Sequence, residues 1–356
     1  MGQKSTIKTI VVLGMHRSGT SMLGSILHNM GVKMGSSKDV EKNEFDNILG
    51  FFENYEVAIH NDELLDLMGG AWDKSPQKDL AELDKDKLNE LKRQAKDILD
   101  KLYKQGNVVG IKEPRMSILL DYWEEFLQNP QYIFIFRNPL DVAKSLEKRN
   151  GFEIDKGLSL WTEYNERTLK FLKDKEYLML RYEDLLSDPA TFTAEIFKFL
   201  QMEFDDKKLQ ISTKEVESAI QHHQTKDGDF LNDKNARLSA KEVFKTMLDL
   251  YNKQNKTRKV KKIQIAVDKD LMIKHSRAKL IKMEGLIGRY RGNLKETIAK
   301  VDELEETVKE QNKVVDNVNR RNEKANSRIR LLEGQLLRIR TSFPYKFYRF
   351  YRRIIK

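Results

Sequence analysis

The chain has no cysteine, which excludes disulfides and cysteine-ligated metal and says little about compartment. It has no apolar run approaching the roughly 20 residues that span a bilayer. No secretory signal is expected either, because Met1 to Thr6 lead straight into a short apolar segment. The opening MGQKST matches an N-myristoylation pattern by its letters, but so short an arm leaves little reach before a sheet would begin. His222 and His223 lie in a polar stretch without metal-ligand spacing, so they read as surface residues and no metal is implied. What the chain does have is length and positive charge. Its 356 residues can bury one sizeable domain with residues to spare. The net charge of +10 is local: from Arg320 to Lys356 stand twelve Lys or Arg and two acids, Glu323 and Glu333, which alone account for it. The basicity therefore belongs to the tail and is no sign of a nucleic-acid surface on a folded domain.

The rest is organised around Thr9 to Gly31, TIVVLGMHRSGTSMLGSILHNMG. Ile10 to Leu13 is a continuous apolar run, the pattern of a parallel strand buried on both faces. From Thr20 on, Met22, Leu23, Ile26, Leu27 and Met30 fall at helical spacing, and Gly31 sits where a C-terminal cap belongs. Between them GMHRSGTS allows a tight turn at Gly14 and Gly19, so that backbone N–H groups and the positive helix end face one anion. The loop fits G-x-x-x-x-G-K-[ST] at Gly14, Gly19 and Ser21, but Thr20 stands in place of the lysine that reaches the β- and γ-phosphates of a nucleoside triphosphate. Arg17 is the only cation in the loop, and its fork suits a pair of phosphate or sulfonate oxygens. The cradle is expected; ATP as its ligand is not.

Val32 to Gly50 reads as a loop. Then Glu53 follows two aromatics, and Val57, His60, Leu64, Leu65 and Met68 continue at helical spacing. Residues 79–104 predict a charged amphipathic helix acting as a solvated cover. Asn107 to Ile111 predicts a second strand running into KEPR, Lys112 to Arg115, with a helix from Met116 to Leu127. Tyr132 to Phe136 predicts a third strand ending in FRNPLDVAKSLEKRNG, where Asn138 is placed to cap a helix and Pro139 to sit in its first turn. A helix over 158–173, a fourth strand at Tyr177 to Leu180 leading into RYEDLLSDP, and a helix from Ala190 follow. Short apolar strands alternating with helices predict an α/β fold, a P-loop-like parallel sheet flanked by helices.

In such sheets ligands bind beyond the carboxyl ends of the strands. That rim would hold Arg17–Ser21, Lys112–Arg115, Arg137 with Ser145, and Arg181–Glu183. A single arginine after a strand is usually an ion-pair partner, whereas this density of cations implies a ligand with more than one anionic group. GMHRSGTS after a first strand together with FRNPLDVAKSL after a later one resembles the sulfotransferase family that uses 3′-phosphoadenosine 5′-phosphosulfate (PAPS). KEPR is similar to that family's K-D-P-R segment and RYEDLLSDP to its Y-E-D-L segment. GFFE followed by NDELL and a tryptophan resembles a segment of its bacterial branch. The resemblance covers residues 7 to 205 or so and implies that Arg17, Ser18, Gly19, Thr20 and Ser21 hold the 5′-phosphosulfate. It implies Arg137 and Ser145 on the 3′-phosphate and Tyr182 near the nucleotide. Cell-surface or small-molecule acceptors are what that bacterial branch implies.

Sulfonyl transfer needs an in-line hydroxyl, a base, and cations on the bridging oxygen of the departing bisphosphate. Arg17 and Lys112 are assigned to the leaving side. For the base Glu53 leads: relatives reach a glutamate from this segment, and apolar Phe51 and Phe52 beside it would raise its pKa. It could equally be a helix cap. His60 has the right intrinsic pKa, though a histidine on that helical face is more often packed, and Glu113 is third, since it can pair with Lys112 or Arg115.

Residues 1–252 are thus read as the α/β domain, with 206–252 completing the acceptor side or a flap, and 253–293 as a basic helical linker. Over 294–340 one heptad frame runs without a skip: Leu294, Val301, Val308, Val315, Asn322, Ile329 and Leu336 at a, and Thr297, Leu304, Gln311, Val318, Ala325, Leu332 and Ile339 at d. β-Branched a residues with one central asparagine predict a C-terminal parallel dimeric coiled coil, rather than a helix lying on its own domain. Residues 341–356, SFPYKFYRFYRRIIK and its threonine, interleave aromatic and basic residues, as suits an anionic membrane interface or an acidic partner. The expected protein is a cytoplasmic, dimeric sulfotransferase, peripheral at the inner membrane face, acting on a glycan or glycolipid precursor. The rivals are a P-loop kinase or NTPase, against which the missing lysine and the lack of a strand ending in a Walker B-like Asp both speak, and a coiled-coil scaffold that binds a nucleotide without turnover.

Overall fold

Four strands form one parallel sheet in the order β2–β1–β3–β4: β1 is Lys8–Leu13, β2 Val108–Lys112, β3 Pro130–Phe136 and β4 Tyr177–Arg181. The computed structural model describes residues 7–35, 54–217, 225–234, 236–258, 269–341, 348, 349 and 352. They belong to two compact units, Met1–Val267 and Asp268–Lys356.

The apolar runs form strands because both sheet faces are covered. Val11 and Leu13 of β1 point into one core with Val109, Ile111, Phe134 and Phe136. Ile10 and Val12 point into the other with Ile133, Ile135, Leu178 and Leu180. Over the second face lie α1 (Thr20–Asn29), α7 (Tyr182–Ser187), α8 (Pro189–Phe199) and α9 (Asp206–Glu217). The first face carries α2 (Tyr55–Leu67), α3 (Lys85–Tyr103), α4 (Met116–Trp123), α5 (Pro139–Asn150) and α6 (Ile154–Leu172). Two further helices from the second half of the unit join it there, α10 (Asp227–Asn232) and α11 (Leu238–Arg258).

The α/β architecture expected from the pattern is present, with shifts at the edges. β1 starts at Lys8, where its N–H reaches the Asn107 carbonyl at 2.8 Å. The helix after KEPR stops at Trp123 and tightens into a 3-10 turn over Glu124–Phe126. The charged helix expected over 79–104 is a 3-10 turn, Leu80–Glu82, followed by α3, which turns Leu91, Ala95, Ile98, Leu99 and Leu102 to the core and its charges to solvent. Asn138 caps α5 by accepting from the Leu140 N–H at 3.0 Å, with Pro139 in the first turn. α11 runs past residue 252 as far as Arg258. Its Gln254 accepts from the Met179 N–H at 2.7 Å and donates to the Tyr177 carbonyl at 2.8 Å, so a side chain closes the open edge of β4.

The strand register aligns the carboxyl ends: Val12 lies opposite Lys112, Leu13 opposite Phe134, and Phe136 opposite Arg181. The loops leaving β1, β2, β3 and β4 therefore share one rim. In the second unit, α12 (Lys269–Thr341) is a single helix of 73 residues. Among the described residues no helix is long and apolar enough to cross a membrane.

Candidate active site

The loop Gly14–Gly19 between β1 and α1 is held from below, not by its own ligand-facing groups. The Gly14 N–H donates to Ser117 Oγ at 2.9 Å, and the Ser18 N–H to the Met15 carbonyl at 3.2 Å. Arg17 takes a left-handed backbone, φ 69°, which is uncommon for a side-chain-bearing residue and is sustained only by its surroundings. Gly19 is required: its φ is +96°, and a Cβ there would come within 2.4 Å of Tyr182 Cδ2. Gly19 makes no side-chain cap for α1, and the first turn of α1 carries no acid. The buried Ser18 Oγ has no hydrogen-bond partner among the described residues. An open helix N-terminus with an unsatisfied buried hydroxyl beside it fits an anion.

Arg17 reaches across to the other phosphate segment. Its Nε donates to Ser145 Oγ at 2.8 Å, two turns into α5. Arg137, at the end of β3, donates from Nη1 to the Arg17 carbonyl at 3.4 Å and lies 4.6 Å over the Tyr182 ring. Asp141 is 3.9 Å from Arg137 Nη2 and accepts from the Thr225 N–H and, at 2.6 Å, from its hydroxyl. Burial raises the Tyr182 phenol above its usual pKa against the pull of Arg137, so it stays a neutral donor. Arg17, Ser18, Gly19, Thr20, Ser21, Arg137, Ser145 and Tyr182 thus sit on one patch of the rim.

The other rim cations have structural partners. Arg181 is paired with Asp227 at 2.8 Å, Glu183 at 3.2 Å and Asp184 at 3.7 Å, which pins the start of α10 to the sheet. Arg115 bonds Asp62 and, at 2.7 Å, Glu113. Glu113 is fully buried, takes its second bond from Asn61 Nδ2, and Asn61 accepts in turn from Trp123 Nε1 at 2.7 Å. Lys112 ends β2 and is buried at the rim.

Of the residues weighed as a base, Glu53 lies outside the described residues. The cap of α2 is Asn54, whose side chain accepts from the Val57 N–H at 3.2 Å. His60 is buried in α2 with Nε2 2.8 Å from the Tyr122 hydroxyl and its ring against Trp123. Burial lowers its pKa to about 4, against an opposing bond from Gln94. Glu113 is committed to Arg115 and Asn61. What the sequence pattern passed over is His16, a loop position that the glycine spacing leaves unspecified. Its ring packs 4.9 Å from that of Trp72 and 5.9 Å from that of Tyr164. Asp141, Thr225 and Asp227 were also missed, and only the proximity of residues some 85 apart reveals them.

Residues 9–206 match the model of the sulfotransferase family. The chain belongs to the sulfotransferase family. Membership implies a hydroxyl-bearing acceptor. Among solved structures, this sulfotransferase is similar to the sulfotransferase domain of the Synechococcus PCC 7002 olefin synthase, at 20% identity, covering 70% of this chain and 97% of that one, with a TM-score of 0.41. It is also similar to sulfotransferase STF1 from Mycobacterium tuberculosis H37Rv, at 14% identity over 58% of this chain and 71% of that one, with a TM-score of 0.40. A third likeness is to retinol dehydratase in complex with androsterone and inactive cofactor PAP, at 15% identity over 72% and 81%, with a TM-score of 0.32. No curated protein matches the sequence.

Proposed function

We propose that this sulfotransferase takes its sulfonyl group from PAPS and delivers it to a hydroxyl of a glycan or glycolipid-type acceptor. The observation that carries the reading is the 2.8 Å bond from Arg17 to Ser145, which joins the β1 loop to α5. A donor with anionic groups at both ends of a nucleoside matches two adjoining phosphate segments and a loop lacking the triphosphatase lysine.

In this reading Arg17, Ser18, Gly19, Thr20 and Ser21 hold the 5′-phosphosulfate, while Arg137 and Ser145 hold the 3′-phosphate. Tyr182 lies against the nucleotide. The bound donor supplies an activated sulfonyl group on a good leaving oxygen. Arg17 and Lys112 stabilise the charge that builds on that oxygen, and a base takes the acceptor proton. Glu53, immediately before the Asn54 cap, is the candidate that the sequence favours for that base, with His60 and Glu113 as the alternatives. Beside the loop, Trp72 stacks on Phe152 at 5.7 Å, an electron-rich face suited to the C–H face of a sugar ring.

The second unit serves assembly and place. α12 exposes Leu294, Val301, Leu304, Val308, Val315, Val318, Ile329, Leu332, Leu336 and Ile339, a stripe that a second copy would cover as a parallel coiled coil over 294–340. The basic-aromatic 341–356 would then be doubled at an anionic inner membrane face, leaving the catalytic unit in the cytoplasm. Residues 1–252, 253–293, 294–340 and 341–356 are the proposed domain, linker, coiled coil and tail.

The test is incubation of the full chain with PAPS and, separately, with ATP–magnesium, against panels of glycan, glycolipid and phenol acceptors. An 80 Da gain on a glycan or glycolipid, with release of adenosine 3′,5′-bisphosphate, is expected. Phosphorylation from ATP would replace this reading with a kinase.

A further inference from the structure

We propose that His16, through Nε2, accepts the proton of the acceptor hydroxyl during sulfonyl transfer. The inference rests on the donor assignment above.

His16 precedes Arg17 in the loop, so it stands beside the cradle whatever the acceptor is. Its Nε2 is sealed from solvent and has no hydrogen-bond partner among the described residues. Two aromatic walls fix the ring, Trp72 from the loop after α2 and Tyr164 from α6. Tyr164 is not its partner, because its hydroxyl donates to the Trp72 carbonyl at 2.7 Å. A buried imidazole nitrogen left without a partner costs stability, and a ligand hydroxyl entering along Trp72 would satisfy it. His60, by contrast, has its Nε2 engaged by Tyr122.

The charges around His16 supply a trigger. The cations whose charge acts on it are Arg115 after β2, Lys112 at the end of β2, Arg149 of α5 and Arg17 of its own loop. Burial first, then Arg115, Lys112, Arg149 and Arg17, hold the imidazole well below its usual pKa. As folded it is neutral, and in the tautomer protonated on Nδ1 it presents a lone pair at Nε2. Anionic groups bound at Arg17 and Lys112 offset part of that field and raise the pKa from its depressed value, which makes the imidazole a better base. The proton acceptor is therefore armed by donor binding.

The step balances. The acceptor oxygen forms a bond to sulfur as the bond from sulfur to the bridging oxygen breaks. The electron pair of the broken bond stays on the 5′-phosphate of the departing bisphosphate. The hydroxyl proton passes to His16 Nε2, and the imidazolium loses it to solvent once the products leave.

The experiment compares the full-length parent with His16→Gln and His16→Phe, measuring bisphosphate affinity by calorimetry and donor consumption with glycan acceptors and with water alone. The expected result is retained affinity, within about threefold, with donor consumption down about 100-fold in both His16 variants. In the parent, the His16 ring resonance, assigned by its loss in His16→Gln, should titrate at higher pH once adenosine 3′,5′-bisphosphate is bound. A parent rate in His16→Phe, which keeps the ring packing, overturns the proposal. So does a resonance indifferent to bound bisphosphate, or a rate loss no larger than the affinity loss. If the parent itself binds no bisphosphate, the donor reading falls and this inference falls with it.

Discussion

Arg17 shows how one residue joins two motifs. Its left-handed backbone aims Nε away from its own loop and onto Ser145 Oγ at 2.8 Å. A charged donor to an anion contributes roughly 1.5–3 kcal/mol, so Arg17→Ala should weaken adenosine 3′,5′-bisphosphate at least tenfold by calorimetry. Arg17→Lys should recover only part of this, because an ammonium lacks the fork. His60 belongs to the core and gives a stability prediction. With a folded pKa of about 4 against 6.5 for the free side chain, the unfolded chain binds the extra proton between those values. Stability is therefore full above pH 6.5 and falls as pH drops toward 4, by up to about 3 kcal/mol. Denaturant melts from pH 7 to pH 4 should show that loss in the parent and a shallower one in His60→Gln; equal slopes would remove His60 from the account. The cradle glycines, Arg137, Ser145 and Tyr182 were legible because motif spacing carries them. Glu113 with Asn61 and Arg181 with Asp227 were not, since each pair is joined by folding across about 50 residues.

At the scale of elements, the four strands could be read because a strand buried on both faces is apolar without alternation, and Ile10 to Leu13 are all fully buried. The turns that set element ends depend on tertiary contacts, which is why α4 gives way to a 3-10 turn at Glu124 and α11 runs on to dock Gln254 on β4. The placement of α5, and with it Ser145, depends on Gly157 of α6. A Cβ on Gly157 would meet Ala143 Cα at 2.8 Å. Gly157→Val should push the two helices apart at a cost of about 1–3 kcal/mol. At about 2–4 °C per kcal/mol for a unit of this size, calorimetric scans should show the melting temperature falling by several degrees. Bisphosphate affinity should fall with it, because α5 moves. An unchanged melt would mean that α5 and α6 have slack the structure does not show.

For the whole molecule, the long helix was separable by its heptad period, and the basicity by its place: residues 1–319 sum to zero charge, while 320–356 carry the net +10. The exposed stripe of α12 predicts a full-length dimer in sedimentation equilibrium at micromolar concentration, and a monomer after Leu304→Glu with Ile329→Glu. Asn322→Leu should raise the melting temperature of the assembly while admitting larger oligomers, because a buried asparagine at a limits partner number. A parent that sediments as a monomer would contradict the coiled coil and leave the sulfotransferase unit untouched.

The measurement that bears most directly on the central claim is calorimetric titration of the full chain with adenosine 3′,5′-bisphosphate and, separately, with ATP–magnesium. The account predicts tight bisphosphate binding, weakened about tenfold or more in Arg137→Ala and in Ser145→Ala, with ATP–magnesium much weaker. Binding of ATP–magnesium alone, or bisphosphate binding indifferent to Arg137 and Ser145, would contradict it.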